Sequence, residues 1–261
     1  MNGLAKWVRQ RVIPPLRWVL LATFASPLAA QSLQVLSAGA FKPVVVDLAP
    51  AFEAGQKASL RIDNGTAGVI LRRMRAGEAW DVVIAPPGTL NTLAGEGLVD
   101  RDSIRPIARV AIGVAVRRGS PKPVINTVEE FRAAVLAARN PAFIDPKAGG
   151  SSGIYLDGLF QRMGIAEQIR PRAVLVPGGL VAERLVSGEA DLAIHQISEI
   201  LPVAGAELVG PLPAGIQNYT VYAAAIVRAT TNQVAGRALT ELLRGPEAAH
   251  VITLKGMERV D

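Results

Sequence analysis

Leu33-Gln34-Val35-Leu36-Ser37-Ala38-Gly39-Ala40, then Ala58-Ser59-Leu60-Arg61-Ile62-Asp63-Asn64-Gly65-Thr66-Ala67-Gly68, then Asp81-Val82-Val83-Ile84-Ala85-Pro86-Pro87-Gly88, repeat one pattern. Each reads as a short strand, most continuously apolar over Asp81 to Ala85, that ends in small, polar or glycine-rich residues. Between them, Pro43 to Phe52 and Val69 to Ala76 carry helical spacing, and Gly77 follows the second as a helix-ending glycine. Continuous apolar runs this short, alternating with helical patterns, predict buried parallel strands with helices on both faces of the sheet.

Further along, Ile107 to Val116 reads as a long apolar strand with Arg109 its only charge. Thr127 to Ala138 reads as a helix that starts on a capping box, Thr127 to Glu130. Pro141 to Asp145 opens a second alternating run. It continues through the turn Gly149-Gly150-Ser151-Ser152-Gly153, a helix over Ile154 to Met163, a strand over Ala173 to Val176, a helix over Leu180 to Leu185 and a strand over Asp191 to Gln196. Tyr219 to Val227 is a second long strand, and helices over Thr231 to Leu243 and Pro246 to Leu254 follow. Two strand–helix runs separated by one long strand, with another leading back, predict an α/β fold of two lobes. Each lobe is expected to be a mostly parallel sheet flanked by helices, and two crossing strands join them. Residues 31–112 and 222–261 are assigned to the first lobe and 113–221 to the second.

The first thirty residues read differently. Lys6, Arg9, Arg11 and Arg17 stand without an acid, Trp18 to Phe24 is apolar, and Ala25-Ser26-Pro27-Leu28-Ala29-Ala30 is rich in small residues. That order describes a secretory signal peptide over 1–30, cleaved near Ala30, with the folded chain in the periplasm. The apolar run falls short of the roughly 20 residues of a membrane helix. The chain's formal charge is +6, and taking away those four cations leaves +2. The basic balance is therefore a targeting feature, and no nucleic-acid footprint is expected; Arg72-Arg73-Met74-Arg75 and Arg117-Arg118 read as solvated charges. With no cysteine, and His195 and His250 the only histidines, neither a disulfide scaffold nor a metal centre is expected. No phosphate-loop or dinucleotide motif occurs, and no cofactor is assigned.

Ligands of open α/β sheets bind beyond the carboxyl ends of the strands. Candidate site residues are therefore Ser37, Gly39, Ala40 and Phe41; Asn64, Gly65, Thr66 and Ala67; Ser151, Ser152, Gly153 and Tyr155; Gly178 and Gly179; and His195 and Gln196. Most of these precede a predicted helix, whose first N–H groups and dipole attract an anion. Small residues allow close approach, and Ser or Thr adds a hydroxyl donor, so an anion site needs no cationic side chain. Ligand completing its shell from both lobes gives hinge closure a purpose. Strand alternation lets only one of His195 and Gln196 face the cleft, and Gln196 is the one expected there. Gly149 to Gly153 also matches the G-x-S-x-G nucleophile elbow, with Asp191 and His195 or His250 following in order. An elbow needs a strand running straight into it, whereas Asp145-Pro146-Lys147-Ala148 intervenes and Pro146 cannot continue a paired strand. No catalytic residue is assigned.

Val35 to Ala49, Leu71 to Ala85 (LRRMRAGEAWDVVIA), Asp145-Pro146 through Gly153-Ile154-Tyr155, and Leu242 to Ala249 resemble the periplasmic molybdate-binding proteins of ABC transporters. The resemblance spans nearly the whole chain after residue 30. It implies a type II periplasmic-binding fold, an oxyanion such as molybdate or tungstate held by hydroxyls and backbone amides, a monomer, and an ABC transporter permease as partner. It also shows departures. The family's oxyanion-binding Ser falls on Ala40 and its late-strand Tyr on Gln196, while its remaining contacts fall on Ser152 and around Thr66-Ala67. The segment His195 to Val203 is similar to a branch that includes periplasmic aconitate isomerases. That branch implies a polycarboxylate ligand and, among His195, Tyr155 and Ser152, a general acid and base. The expected function is a solute-binding protein for a small anion, molybdate-like or carboxylate, with an isomerase of the aconitate type as the alternative.

Overall fold

The computed structural model describes residues 32–56 and 58–260. The expected signal peptide lies outside the described residues. Among the described residues no helix is long and apolar enough to cross a membrane.

The first run forms β1 (Ser32–Ala38), α1 (Lys42–Gln56), β2 (Ser59–Gly65), α2 (Ala67–Arg75), β3 (Val82–Ala85) and α3 (Pro87–Gly95). β4 (Arg105–Arg117) is the long crossing strand. The second run is α4 (Val128–Ala137), β5 (Pro141–Ile144), α5 (Ser151–Arg162), α6 (Ala166–Ile169), β6 (Val174–Val176), α7 (Glu183–Ser187), β7 (Leu192–Gln196), α8 (Ile197–Ile200) and β8 (Ala206–Pro211). β9 (Tyr219–Ile226) leads back to α9 (Gln233–Arg244), α10 (Pro246–Leu254) and β10 (Met257–Arg259).

The strands run in the order β2-β1-β3-β9-β4-β7-β5-β6, with β8 and β10 added on β4. Pairing is parallel within β2-β1-β3 and within β7-β5-β6, and antiparallel wherever β4 or β9 takes part. β4 serves both halves. Residues Arg105 to Ala111 pair with β9, while Ile112 to Ala115 pair with β7. At the change of partner the Gln217 side chain stands in for a strand: its Oε1 accepts from the Ile112 N–H at 3.0 Å, and its Nε2 donates to the Ile112 carbonyl at 2.9 Å.

The apolar runs become the cores. One cluster gathers Leu33, Val35, Leu36, Phe41, Val83, Ile84, Tyr222 and Leu243 around the first sheet. Two more lie against the second sheet, around Phe131, Phe143 and Phe160 and around Val176, Val181 and Leu185. Fully burying each such side chain contributes about 1.5–3 kcal/mol. The capping box is formed: the Thr127 hydroxyl accepts from the Glu130 N–H, and the Glu130 carboxylate accepts from Thr127. Gly77 follows α2 at φ 77°.

Three differences from the sequence reading bear on the site. α5 starts at Ser151 instead of Ile154, because Gly150 takes the extended N-cap conformation and draws both serines into the first turn. α7 starts at Glu183 rather than Leu180, after a loop through Gly179 at φ 84°. The short elements β8, β10 and α8 were not expected at all.

Candidate functional site

The carboxyl ends of all six parallel-paired strands open on one cavity of about 220 Å³ between the lobes. β1 delivers Ala38, Gly39 and Ala40, and β2 delivers Asn64 to Ala67. Pro86 follows β3, and Ile144 ends β5 ahead of Gly150, Ser151 and Ser152. Pro177, Gly178 and Gly179 follow β6, and His195 and Gln196 end β7. Val69, Glu199 and Tyr222 complete the wall. No Lys or Arg is among these lining residues.

Donors come from helix starts. Thr66 is the N-cap of α2, its hydroxyl accepting from the Val69 N–H at 3.2 Å. α5 begins at Gly150 with no side-chain cap, which leaves its first N–H groups without an intrahelical partner beside the Ser151 and Ser152 hydroxyls. Gly150 and Gly153 seat this turn on β5. A Cβ at Gly153 would stand 2.3 Å from the Ile144 carbonyl oxygen, and one at Gly150 would stand 2.6 Å from the Ile144 Cγ2.

The lobes touch beside the cavity. Thr66 Oγ1 donates to the Ala148 carbonyl at 2.6 Å, and the Gly68 N–H donates to the Gly149 carbonyl at 3.2 Å. Gly149 holds φ 75°, and a Cβ on it would lie 2.8 Å from the Gly68 Cα. Two glycines therefore set how closely the halves approach.

A buried polar chain runs along the back wall. His195 Nε2 lies 3.2 Å from Glu199 Oε2, with side chains only 2% and 11% exposed. Burial pushes the Glu199 carboxyl up to about 8 and the His195 imidazole down to about 3. Both shifts have the same cause and agree on a neutral pair. His195 Nδ1 has no hydrogen-bond partner among the described residues. Tyr222 donates to Gln196 Oε1 at 2.7 Å, and Gln196 Nε2 donates to Thr220 Oγ1 at 3.0 Å. Burial, then the neighbouring Glu199, hold the Tyr222 phenol above its usual range. On the opposite wall Lys42 Nζ donates to Asn64 Oδ1 at 2.9 Å, which sets a cation behind the lining.

The cavity thus brings together Gly39, Ala40, Asn64, Gly65, Thr66, Ala67, Ser151, Ser152, Gly178, Gly179, His195 and Gln196. Four candidates stand outside its lining. Ser37 is fully buried, its hydroxyl turned to the Ala38 carbonyl at 3.0 Å. Phe41 is core, with its ring 6.0 Å from that of Tyr222. Gly153 packs on β5 as above. Tyr155 donates to the Ile216 carbonyl at 2.6 Å and packs in the second-lobe core.

The expectation that only one of His195 and Gln196 reaches the cleft is corrected: both line it. β7 ends at Gln196, which is already the N-cap of α8, so strand alternation no longer governs its direction. No elbow triad is assembled around Ser151. Asp191 accepts from the Arg139 and Asn140 N–H groups at 2.8 and 2.9 Å, and His250 is exposed on α10. Sequence reasoning missed Glu199 and Tyr222. Glu199 sits on α8 and His195 on β7, so no single periodicity in the sequence links the two.

A family model described as bacterial extracellular solute-binding protein matches residues 33–258. An aconitate isomerase from Pseudomonas sp is 32% identical over 258 residues, covering 95% of this chain and 97% of that protein. Among solved structures, the periplasmic molybdate-binding protein of Azotobacter vinelandii aligns with a TM-score of 0.74 at 20% identity, covering 88% of this chain and 100% of that one. The sulfate-binding protein SubI from Mycobacterium tuberculosis H37Rv aligns at 0.72 with 19% identity, over 88% of each chain. At these identities the two structures speak for the two-lobed α/β fold.

Proposed function

We propose, for a chain that belongs to the bacterial extracellular solute-binding protein family, that it captures a small organic-acid anion in the cleft between its lobes. The observation that carries this reading is the cavity wall itself. Helix starts and hydroxyls converge there, and no lining residue is a Lys or Arg. Such a site holds an anion through oriented amides and hydroxyls. Ala40 offers no hydroxyl, and both ends of the Gln196 amide are occupied within the protein. Those two positions favour a carboxylate ligand over molybdate or tungstate.

In this reading residues 1–30 export the chain to the periplasm and are removed near Ala30. The lobes are 31–112 with 222–261, and 113–221. An ABC transporter permease receives the loaded protein. Thermal unfolding with molybdate, tungstate, sulfate, citrate, cis-aconitate and trans-aconitate tests the ligand class. An anion at 100-fold its Kd stabilises by about 2.7 kcal/mol. A melt that no anion shifts would sink the reading.

A second reading is an isomerase that moves a proton on a polycarboxylate. The neutral His195–Glu199 pair on the cavity wall favours it, because proton transfer needs a group able to hold and release a proton beside the reacting carbon. The 32% identical aconitate isomerase supports it as well. Proton NMR of trans-aconitate with the purified protein decides this: appearance of the cis isomer establishes turnover, and an unchanged spectrum leaves a binding protein.

A further inference from the structure

We propose that Glu199 is the specificity-determining residue of the cleft: its carboxyl meets the bound anion through a shared proton, so the cleft takes a carboxylate in preference to a strong-acid oxyanion such as sulfate. This rests on the anion-capture reading above and adds to it which residue sorts the ligands.

The placement of Glu199 is unusual for an anion site. It is the only acid among the lining residues, in a wall that also holds the hydroxyls of Thr66, Ser151 and Ser152. α8 turns its side chain back over the end of β7, so Oε2 rests 3.2 Å from His195 Nε2. Its other oxygen presses on the first lobe: Oε1 would stand 2.7 Å from a Cβ at Gly39. A side chain at position 39 would push the Glu199 carboxyl from this place. The carboxyl is held between the two lobes and reaches the same space as the helix starts.

An ionised carboxylate there would repel any incoming anion, and few solvent molecules would screen it. The groups facing it do not neutralise it. His195 faces it from β7 and Tyr222 from β9, both neutral; Gly39 faces it from the first lobe, with the Asn64 amide nearby. β4 and β8 place Gly113 and Leu208 against the adjacent Ile197. Lys42 lies one step removed, bonded to Asn64. Burial without a compensating cation keeps the proton on Glu199 until about pH 8. A carboxyl kept neutral by an apolar site acts as an O–H donor toward an anion.

That donor reads the acceptor. An O–H group beside a carboxylate forms a short, charge-assisted hydrogen bond. The bond strengthens as the acceptor's basicity rises toward that of the donor, and a carboxylate stands much nearer to it than sulfate does. Sulfate is the base of a strong acid and competes poorly. The neutral His195 ring donates its Nε2–H to Glu199 Oε2, which leaves the carboxyl's own proton on Oε1.

The sign of the pH dependence follows. Protonated Glu199 is the binding form, so affinity is steady below about pH 8. It then falls about tenfold per pH unit as the anion-free protein loses this one proton. Titration calorimetry with trans-aconitate and with sulfate, from pH 6.5 to 9.5, tests the proposal on the wild type and on Glu199→Gln. The expected result is trans-aconitate binding at least tenfold tighter than sulfate at pH 7, a tenfold loss per unit above pH 8, and a flat profile in E199Q. Calorimetry of the wild type at pH 9 in two buffers of different ionisation heat should show uptake of about one proton. That measurement stands even if E199Q fails to fold. A flat wild-type profile with no proton uptake, or sulfate binding as tightly as trans-aconitate, overturns the role of Glu199 and leaves anion capture standing. If neither anion binds, both readings fall.

Discussion

Gly68→Ala separates the stability of a lobe from the closing of the cleft. Gly68 is the second residue of α2, where alanine is favoured over glycine by up to about 1 kcal/mol within the helix. Its surroundings across the cleft act the other way. A Cβ there would lie 3.0 Å from the Ala148 carbonyl oxygen and 3.1 Å from the Gly149 Cα. Both neighbours are backbone, so the second lobe must back away by a few tenths of an ångström. That lengthens the Gly68 N–H to Gly149 bond of 3.2 Å and the Thr66 to Ala148 bond of 2.6 Å. At about 0.5–1.5 kcal/mol each, the two bonds account for about 1–3 kcal/mol of the closed arrangement. This corresponds to about 5- to 150-fold in anion affinity. Titration calorimetry reads the affinity, and a thermal melt without anion reads the lobe. The expected pair of results is weaker binding with an unchanged or higher melting temperature. Wild-type affinity in the variant would mean that the lobes do not close on this contact.

Tyr155→Phe removes the bond to the Ile216 carbonyl and should cost about 1 kcal/mol in urea unfolding, while anion affinity stays at the wild-type value because the ring is outside the lining. Thr66→Val loses the cap of α2 and the interlobe bond together; about 1 kcal/mol of stability and a measurable part of the anion affinity should go, and Thr66→Ser should restore both. The buried His195–Glu199 pair also predicts how stability varies with pH. Unfolded Glu loses its proton near its ordinary 4.5, whereas the native carboxyl keeps it to about 8, so this group lowers stability progressively as pH rises across that interval. His195 is protonated below 6.5 only when unfolded, the native ring staying neutral down to about 3, so stability also falls as pH drops from 6.5. Thermal melts should therefore show E199Q gaining on the wild type between pH 5 and pH 8.5; equal differences at both pH values would contradict a neutral native Glu199.

Much of this was legible because buried parallel strands leave a plain signature. Val82 to Ala85 and Leu192 to Ile194 are unbroken apolar runs, Leu33 to Leu36 is interrupted only by Gln34, and the segments that follow all three face one cavity. What escaped had weaker physical marks. β8 and β10 are short strands added to β4, and half-exposed segments such as Ala206-Glu207-Leu208-Val209-Gly210-Pro211 lack a clean alternation. Ser37, Phe41 and Tyr155 have the right types near the right turns, but their direction depends on packing that forms only when the lobes are in place. Glu199 was hidden for the opposite reason. In a helix of Ile-Ser-Glu-Ile an acid ordinarily points to water, and only the approach of Gly39 from a distant segment reveals that this one is enclosed.

The shared strand has a mechanical consequence. β4 is hydrogen-bonded into both sheets, so the halves cannot swing on a loose tether. Any opening must be taken up as twist within a few residues around Ala111 and Ile112, and in the returning segment near Tyr219. Gln217 clips the backbone at that point, like a pin in a torsion bar. The stiffness of that bar, one strand away from Gln196 on the cavity wall, sets how readily the halves part.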